Sequence, residues 1–229
     1  MALAFVNEGY DIAIHCNTSV GSAEALAEQI EAAGRRATVH QADLADLGAA
    51  PPLVASAAEA HEGLCGLIHS ASTFERDEFG AVDPVFWSRQ MRVNTEAPLF
   101  LTQAFHAAVT GPGWVLTMLD SKVRQTTPAF FSYTASKLLL AELTTLLAKA
   151  CAPKLRVNGI APGLILRSGQ QTDAQFAAVH HANPMERGPT EGDICQMAVA
   201  LAKAEATTGM IVTVDGGRHF YSPRSAARW

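Results

Sequence analysis

Tyr133 and Lys137 lie four residues apart, and Asp120 precedes the tyrosine by thirteen residues. On a helix, side chains at i and i+4 project from one face. An ammonium beside a phenol stabilises the phenolate and so lowers the pKa of the phenol, which is about 10 when unperturbed. The pair could therefore act as a general acid near neutral pH. The other interpretation is an amphipathic helix on which the two residues have no joint role.

Short apolar runs alternate with helical patterns along the chain, and these elements must position the pair. Runs that are apolar on both faces are typical of parallel strands covered by helices. The alternation predicts an α/β fold, a Rossmann-like doubly wound parallel sheet, in a single domain over residues 1–229. The predicted strands are Tyr10–Cys16, Ala37–Gln41, Leu64–Ser70, Gly113–Leu119, Leu155–Ile160 and Gly209–Val214. The predicted helices are 22–33, Ala49–Ala60, Asp83–Ala108, Phe130–Ala150 and one that follows the cap residue Thr190.

Residues 164–190 form the one long stretch for which we predict no regular element. In a compact domain such a loop is commonly functional, so we predict a substrate loop there. The pair His180–His181 lies within it, but no third residue has the spacing of a metal ligand. We therefore predict no metal site and expect both histidines to be exposed.

The composition excludes several classes of function. Hydrophobic residues make up 48% of the chain and charged residues 17%, which is typical of a globular protein. A formal charge of −5 without a basic run argues against nucleic-acid binding. Neither a membrane-spanning run nor a leader peptide is evident, and the four cysteines have no CxxC spacing. We expect a soluble, cytoplasmic protein with reduced thiols and no membrane partner.

The order of several motifs resembles the short-chain dehydrogenase/reductase family. The motifs are a strand followed by HSASTF (residues 69–74), then Asn94, Asp120, Tyr133, Lys137 and APG (residues 161–163). Within that family the chain is similar to the pteridine reductases and the bacterial dihydromonapterin and dihydrofolate reductases. HSASTF, the aspartate in place of the usual catalytic serine, and VDGGRHF (residues 214–220) carry this resemblance.

The resemblance implies a role for each residue of the predicted site. Tyr133 would donate a proton to the substrate, and Lys137 would bind the nicotinamide ribose and lower the pKa of the tyrosine. Asn94 would hold a water through its amide, Asp120 would accept hydrogen bonds from a pterin, and Phe74 would stack on the pterin ring. Each of the last three residues also has a plain alternative: Asn94 could be a structural residue, Asp120 a turn residue and Phe74 a core residue.

The resemblance also implies a site for a nicotinamide cofactor. NADP(H) is favoured over NAD(H), because the loop after the first predicted strand is neutral where NAD enzymes usually carry an acidic residue. The predicted cofactor-binding residues are Asn17, Thr18, Ser19, Asp43, Leu44, Ser70, Ala71, Ser72, Lys137, Pro162, Gly163, Leu164 and Ile165.

Two departures from the family pattern stand out. His69 and Ser70 replace a usual pair of asparagines, and nothing resembles the family's opening strand and glycine-rich phosphate turn. We expect that strand to be missing from the sheet centre, between Tyr10–Cys16 and Leu64–Ser70, and NADPH binding to be weak. A misplaced start and a true loss both remain open.

The function expected from the resemblance is reduction of a dihydropteridine-type small molecule by NADPH. The alternatives are a generic carbonyl reductase, for example of 3-oxoacyl thioesters, and a non-catalytic relative. By the same resemblance we expect a homo-oligomer, a tetramer.

Overall fold

Strands and helices alternate in the computed structural model, which describes residues 1–167 and 171–220. The strands are β1 (Ile12–Cys16), β2 (Ala37–Gln41), β3 (Gly66–His69), β4 (Gly113–Met118), β5 (Leu155–Pro162) and β6 (Ile211–Val214). The helices are α1 (Ala2–Asn7), α2 (Val20–Ala32), α3 (Ala50–Ala60), α4 (Pro84–Met91), α5 (Ala97–Ala108), α6 (Phe131–Cys151), α7 (Asp173–His180) and α8 (Glu191–Lys203). The predicted α/β class with parallel strands is confirmed.

The strands form two sheets. β1 pairs with β2, and the remaining four pair in the order β3-β4-β5-β6, all of them parallel. β1 and β3 do not pair, and a cleft of about 690 Å³ lies between them. Ile12 and Ile14 line it from one side, Ile68 and Trp114 from the other. The cleft lies at the position where the resemblance implies a central strand. The single sheet that we predicted is therefore divided into two sheets.

The central strand β4 packs helices against both of its faces. Val115 belongs to a core cluster with residues of α3, α5 and α6, whereas its neighbour Leu116 belongs to a cluster with residues of α1 and α8. Successive side chains of a strand point to opposite faces, so a run that is apolar throughout must be covered twice. This is the physical basis of the strand prediction.

The predicted helix Asp83–Ala108 is interrupted. Between α4 and α5 the residues Arg92–Glu96 form a π-helical turn, in which the backbone N–H of Ala97 bonds the carbonyl of Arg92. One extra residue per turn shifts the side chains around the axis and is frequent at functional sites. The apolar periodicity is too coarse to indicate a single widened turn.

The prediction that residues 164–190 lack a regular element is wrong for α7. Thr172 caps this helix through a capping box with Gln175. The helix spans only 8 residues, too few for a periodicity signal. Residues 168–170 of the same stretch lie outside the described residues. The predicted cap of α8 is present, with Thr190 Oγ1 accepting a hydrogen bond from Asp193 N at 3.2 Å.

No helix within residues 1–167 and 171–220 is long and apolar enough to cross a membrane.

Candidate active site

The loops that follow β1 to β5 carry most of the predicted site residues. Asn17 follows β1, Asp43 follows β2, Ser70 follows β3, Asp120 follows β4 and Gly163 follows β5. Carboxyl ends of parallel strands meet at one edge of a sheet, where ligands of open α/β folds bind. The topology therefore collects at one edge residues that are far apart in sequence.

Asp120 and Tyr133 form a hydrogen-bonded pair. Asp120 Oδ1 accepts from Lys122 N at 2.8 Å and so caps the 3-10 turn Ser121–Val123. Its other oxygen, Oδ2, accepts from Tyr133 Oη at 3.0 Å. Asp120 is thus a turn residue, as the plain alternative held, and at the same time the direct partner of the predicted proton donor.

Tyr133 is protonated at neutral pH. Burial raises the pKa of its phenol well above the ordinary value, and the charge of Asp120 and its hydrogen bond raise it further. The expectation that Lys137 lowers this pKa is wrong here, because Asp120 is the charged group in contact with the hydroxyl. The phenol therefore carries its proton at neutral pH, although the raised pKa makes it a weaker acid than an ordinary tyrosine.

Lys137 is buried one helical turn after Tyr133, with its Nζ 5.7 Å from the centroid of the tyrosine ring. Nζ donates to Met118 O at 2.8 Å. Burial lowers the pKa of Lys137 to about 8, against the opposing effect of Asp120. An ammonium has three donors, and only one of them is engaged within the described part of the chain. Two donors are therefore free for the hydroxyls of a ligand.

The lowered pKa of Lys137 predicts a pH dependence of stability. Between about 8 and the ordinary value of 10.5, the unfolded state holds a proton that the folded state has released. The free energy of unfolding should therefore rise with pH in this window, with a slope approaching about 1.4 kcal/mol per pH unit from this residue. The measurement is urea unfolding of wild type and Lys137→Met at about pH 7.5 and about pH 9.5.

Other titrating groups affect both proteins equally, so the difference between them isolates Lys137. The stability of wild type should improve relative to Lys137→Met as the pH rises. A difference that is constant over the window would mean that Lys137 keeps an ordinary pKa.

Asn94 is fully buried in the π-helical turn, and its amide is saturated by the protein. Oδ1 accepts from Thr73 N at 2.8 Å and Ser72 Oγ at 3.1 Å. Nδ2 donates to Thr73 O, Gln90 Oε1 and Ser136 Oγ, each at 3.0 Å. To hold the expected water, the amide would have to give up one of these bonds, so that role of Asn94 stays a prediction. Asn94 ties the loop after β3 to α6.

Phe74 projects beside the predicted proton donor. Its ring stacks on Phe130 with the centroids 4.4 Å apart and meets Tyr133 edge-on at 4.7 Å. The ring is 43% exposed, so it is not the core residue that the plain alternative described. Phe130, immediately before α6, has φ 55°, a left-handed conformation that is strained for a bulky residue. Such strain is characteristic of functional sites.

Asp77 is a site residue that the sequence did not indicate. Its carboxylate accepts from Ser132 N at 3.0 Å and from Ser132 Oγ, and its carbonyl accepts from Phe131 N at 3.3 Å. It thus satisfies the N-terminus of α6, the helix that carries Tyr133, from a loop 55 residues earlier. No spacing signal could have revealed a pair so distant in sequence.

The loops after β1 and β2 are linked at the predicted adenosine end. Asn17 Nδ2 donates to Asp43 Oδ1 at 3.4 Å. Thr18 and Ser19 are exposed, and Ser19 precedes α2 without capping it through its side chain. Leu44 is buried in the core, so its backbone is the part that can face a ligand, and its contact with the cofactor stays a prediction.

The end of β3 differs from the family pattern at a buried histidine, His69. Burial, followed by the charge of Lys137, lowers the pKa of His69 to about 3, so the ring is neutral. His69 Nε2 is 2.9 Å from Thr102 Oγ1, which fixes the strand end against α5. The next three predicted cofactor residues, Ser70, Ala71 and Ser72, are exposed.

The turn after β5 requires its glycine. A Cβ on Gly163 would lie 2.8 Å from Asp215 Cβ, closer than real contacts allow. Gly163 N also donates to Val214 O at 2.9 Å, so the turn stays attached to β6. Pro162, Leu164 and Ile165 are half-buried beside it.

His181 is exposed, as expected. His180 is instead half-buried, with its Nε2 3.0 Å from Pro189 O, so the expectation of an exposed side chain is wrong for this residue. Within the described residues no group of histidine, cysteine and acidic side chains could hold a metal ion.

The fold and the paired tyrosine and lysine define an oxidoreductase of the short-chain type. The family model described as enoyl-(acyl carrier protein) reductase matches residues 1–219. The chain belongs to this family of short-chain dehydrogenases/reductases and is an NAD(P)-dependent oxidoreductase by class.

The chain is similar to several individual proteins. An uncharacterised oxidoreductase of Mycobacterium tuberculosis is 32% identical over 96% of this chain and 87% of that protein. Dihydromonapterin reductase of Klebsiella pneumoniae is 30% identical over 72% of this chain and 70% of that protein. A solved structure is also similar, the crystal structure of FolM alternative dihydrofolate reductase 1 from Brucella canis complexed with NADP. Its sequence is 34% identical to this chain, and the two folds superimpose with a TM-score of 0.92 over 96% of this chain and 89% of that chain. The predicted resemblance to the pteridine reductase subgroup fits these relatives.

Proposed function

We propose that the chain is an NADPH-dependent reductase of a dihydropteridine, with Tyr133 as the proton donor. The observation that carries this proposal is the 3.0 Å hydrogen bond from Tyr133 Oη to Asp120 Oδ2. An ionised carboxylate only accepts hydrogen bonds, so it suits the amino group and ring N–H of a pterin. The same carboxylate would oppose the alkoxide that develops when a ketone is reduced.

The aromatic surroundings support a flat substrate. Phe74 is exposed beside Tyr133, and an aromatic ring in this position offers contact area to a planar heterocycle. The similarity to dihydromonapterin reductase of Klebsiella pneumoniae and to alternative dihydrofolate reductase 1 of Brucella canis supports the same substrate class.

Each residue then has a role that its contacts support. NADPH, when bound, supplies the hydride. Lys137 would use its two free donors to hold the nicotinamide ribose. Tyr133 would deliver the proton to the substrate, and its bond to Asp120 keeps the hydroxyl oriented. Asp120 would also accept hydrogen bonds from the pterin, since a carboxylate has about four acceptor positions.

Two observations support NADP(H) over NAD(H). Residues 17–19 carry no acidic side chain that would repel a 2′-phosphate. They also lead directly into the N-terminus of α2, whose free backbone N–H groups and dipole favour an anion. For the pyrophosphate, no glycine-rich turn at this edge is found in the described part of the chain, so weak binding of NADPH stays a prediction. The cytoplasmic location, the tetramer and the substrate loop stay predictions as well.

The test of this proposal is the substitution Asp120→Asn, assayed by NADPH oxidation. We expect kcat/KM for 7,8-dihydrobiopterin to fall by roughly 10- to 150-fold, because a hydrogen bond to a charged partner contributes roughly 1.5–3 kcal/mol. Asparagine keeps the shape of the side chain and its cap on the Ser121–Val123 turn, so the fold should persist.

Asp46→Asn is a matched control. Asp46 caps the 3-10 turn Leu47–Ala49 through Gly48 N at 2.9 Å, as Asp120 caps its own turn, but it is away from Tyr133. This variant should keep wild-type activity. Turnover of 3-oxoacyl thioesters alone, unaffected by Asp120→Asn, would instead establish the carbonyl reductase. The similarity to a putative ketoacyl reductase of Streptomyces violaceoruber, 30% identical over 93% of this chain, favours this second candidate.

A further inference from the structure

Lys122 lies at the proposed site and has no role in the scheme above. It belongs to the turn that Asp120 caps, and its Nζ is 4.9 Å from the ring centroid of Phe74, 4.8 Å from that of Phe130 and 5.1 Å from that of Tyr133. Three rings that surround one ammonium within about 6 Å hold it by cation–π attraction. The charge is therefore fixed beside the ring of the proton donor.

Among the described residues, none accepts a hydrogen bond from this ammonium. In the described part of the chain Lys122 forms no ion pair, although Asp120 is two residues away. Aromatic faces attract a cation but do not accept its N–H groups as strongly as an anion does. A half-buried cation without an anionic partner is a site that an anionic ligand group would complete.

We propose that Lys122 binds a carboxylate of the substrate and so selects dihydropteridines with an acidic tail, of the dihydrofolate type, over those with a neutral tail. This inference rests on the proposed function. Asp120 and Lys122 then divide the recognition: the carboxylate takes the N–H groups of the pterin head, and the ammonium takes the acid of the tail. Because opposite charges flank the phenol, a substrate with both groups would be bound in one orientation.

The experiment compares 7,8-dihydrofolate with 7,8-dihydrobiopterin in wild type, Lys122→Met and Lys122→Arg. Methionine keeps an unbranched side chain and removes the charge. For Lys122→Met we expect KM for dihydrofolate to rise by roughly 10-fold or more, as for a lost charged hydrogen bond. Its kcat should stay near wild type, because the contact is the same in ground and transition states. KM for dihydrobiopterin should change by less than about 3-fold, and Lys122→Arg should restore the wild-type preference.

Arg124→Met is the matched control. Arg124 is an exposed cation two residues further along, whose guanidinium is directed to Ile211 O at 3.4 Å. Its loss should leave the ratio of the two KM values unchanged. Equal changes in KM for both substrates in Lys122→Met would overturn the inference and assign Lys122 to packing of the aromatic rings.

A binding measurement separates this inference from the proposed function. The isolated acidic tail, p-aminobenzoylglutamate, is titrated against each variant by ligand-observed NMR, without turnover. If wild type reduced neither pteridine, the proposed function would fail, and tail binding lost only in Lys122→Met would still support an anion site. Tail binding equal in wild type and Lys122→Met would refute the site whatever the turnover.

Discussion

Replacing Tyr133 by phenylalanine should lower kcat by roughly 10²–10⁴-fold, the usual contribution of a positioned general acid. The substitution removes one hydroxyl, whose proton is held at neutral pH by burial and by Asp120. The ring contacts with Phe74 and Lys122 do not involve the hydroxyl and should remain. The measurement is steady-state NADPH oxidation with a dihydropteridine, together with a thermal unfolding scan.

Tyr10→Phe is the control for this substitution. Tyr10 packs edge-on against Phe5 and Trp114, at centroid distances of 5.4 and 6.1 Å, next to the cleft rather than at the predicted proton donor. It should keep wild-type kcat. Unchanged kcat in Tyr133→Phe would show that the proton comes from another group, and equal losses in both variants would indicate a general effect on the fold.

Replacing Asn94 by alanine should lower the free energy of unfolding by roughly 4 kcal/mol or more, since each buried group left unsatisfied costs about 1–3 kcal/mol. The lost amide would deprive Thr73 N and Thr73 O of their Asn94 partner. Gln90 Oε1 and Ser136 Oγ would each lose one bond but keep another, to Thr73 Oγ1 and Tyr133 O respectively. Activity should fall as well, because these bonds hold the loop of Phe74 against α6. Urea unfolding, with the slope as a check on two-state behaviour, measures the effect.

Asn158→Ala supplies the comparison, because Asn158 is equally buried but makes fewer contacts. Its amide bonds Thr207 O at 2.9 Å and Met210 N at 3.0 Å, away from Tyr133. We expect roughly half the destabilisation of Asn94→Ala from two lost bonds instead of several. Equal destabilisation by the two substitutions would contradict the network account. Should Asn94→Ala not fold, Ser136→Ala removes a single partner and should lower stability by only about 1 kcal/mol.

The elements of this fold could be predicted because their signals are local. Val115, Leu116 and their neighbours form an apolar run that must be buried on both faces, which is the property of a covered parallel strand. Thr190 and Asp193 are likewise close enough in sequence to predict their capping box. The α/β class followed from the alternation of such runs with helical patterns.

The division of the sheet and the π-helical turn could not be predicted, because neither has a local signal in the sequence. Whether β1 and β3 pair depends on what lies between them, and the apolar run of neither strand contains that information. The turn Arg92–Glu96 places one extra residue in an otherwise regular helix, and the packing of Asn94 against α6 holds it there. Neither feature changes the pattern of apolar residues.

The site, too, has features that the sequence predicted and features that only the structure revealed. The spacing of Tyr133 and Lys137 placed them on one face of a helix, and the order of the motifs indicated the family. The pKa of Tyr133 is raised, opposite to the expectation, because burial and the contact with Asp120 act on the phenol. The cation–π contacts of Lys122 and the support of α6 by Asp77 also required coordinates. Local sequence specifies which groups are available, whereas dielectric, distance and hydrogen bonding between remote segments are properties of the folded chain alone.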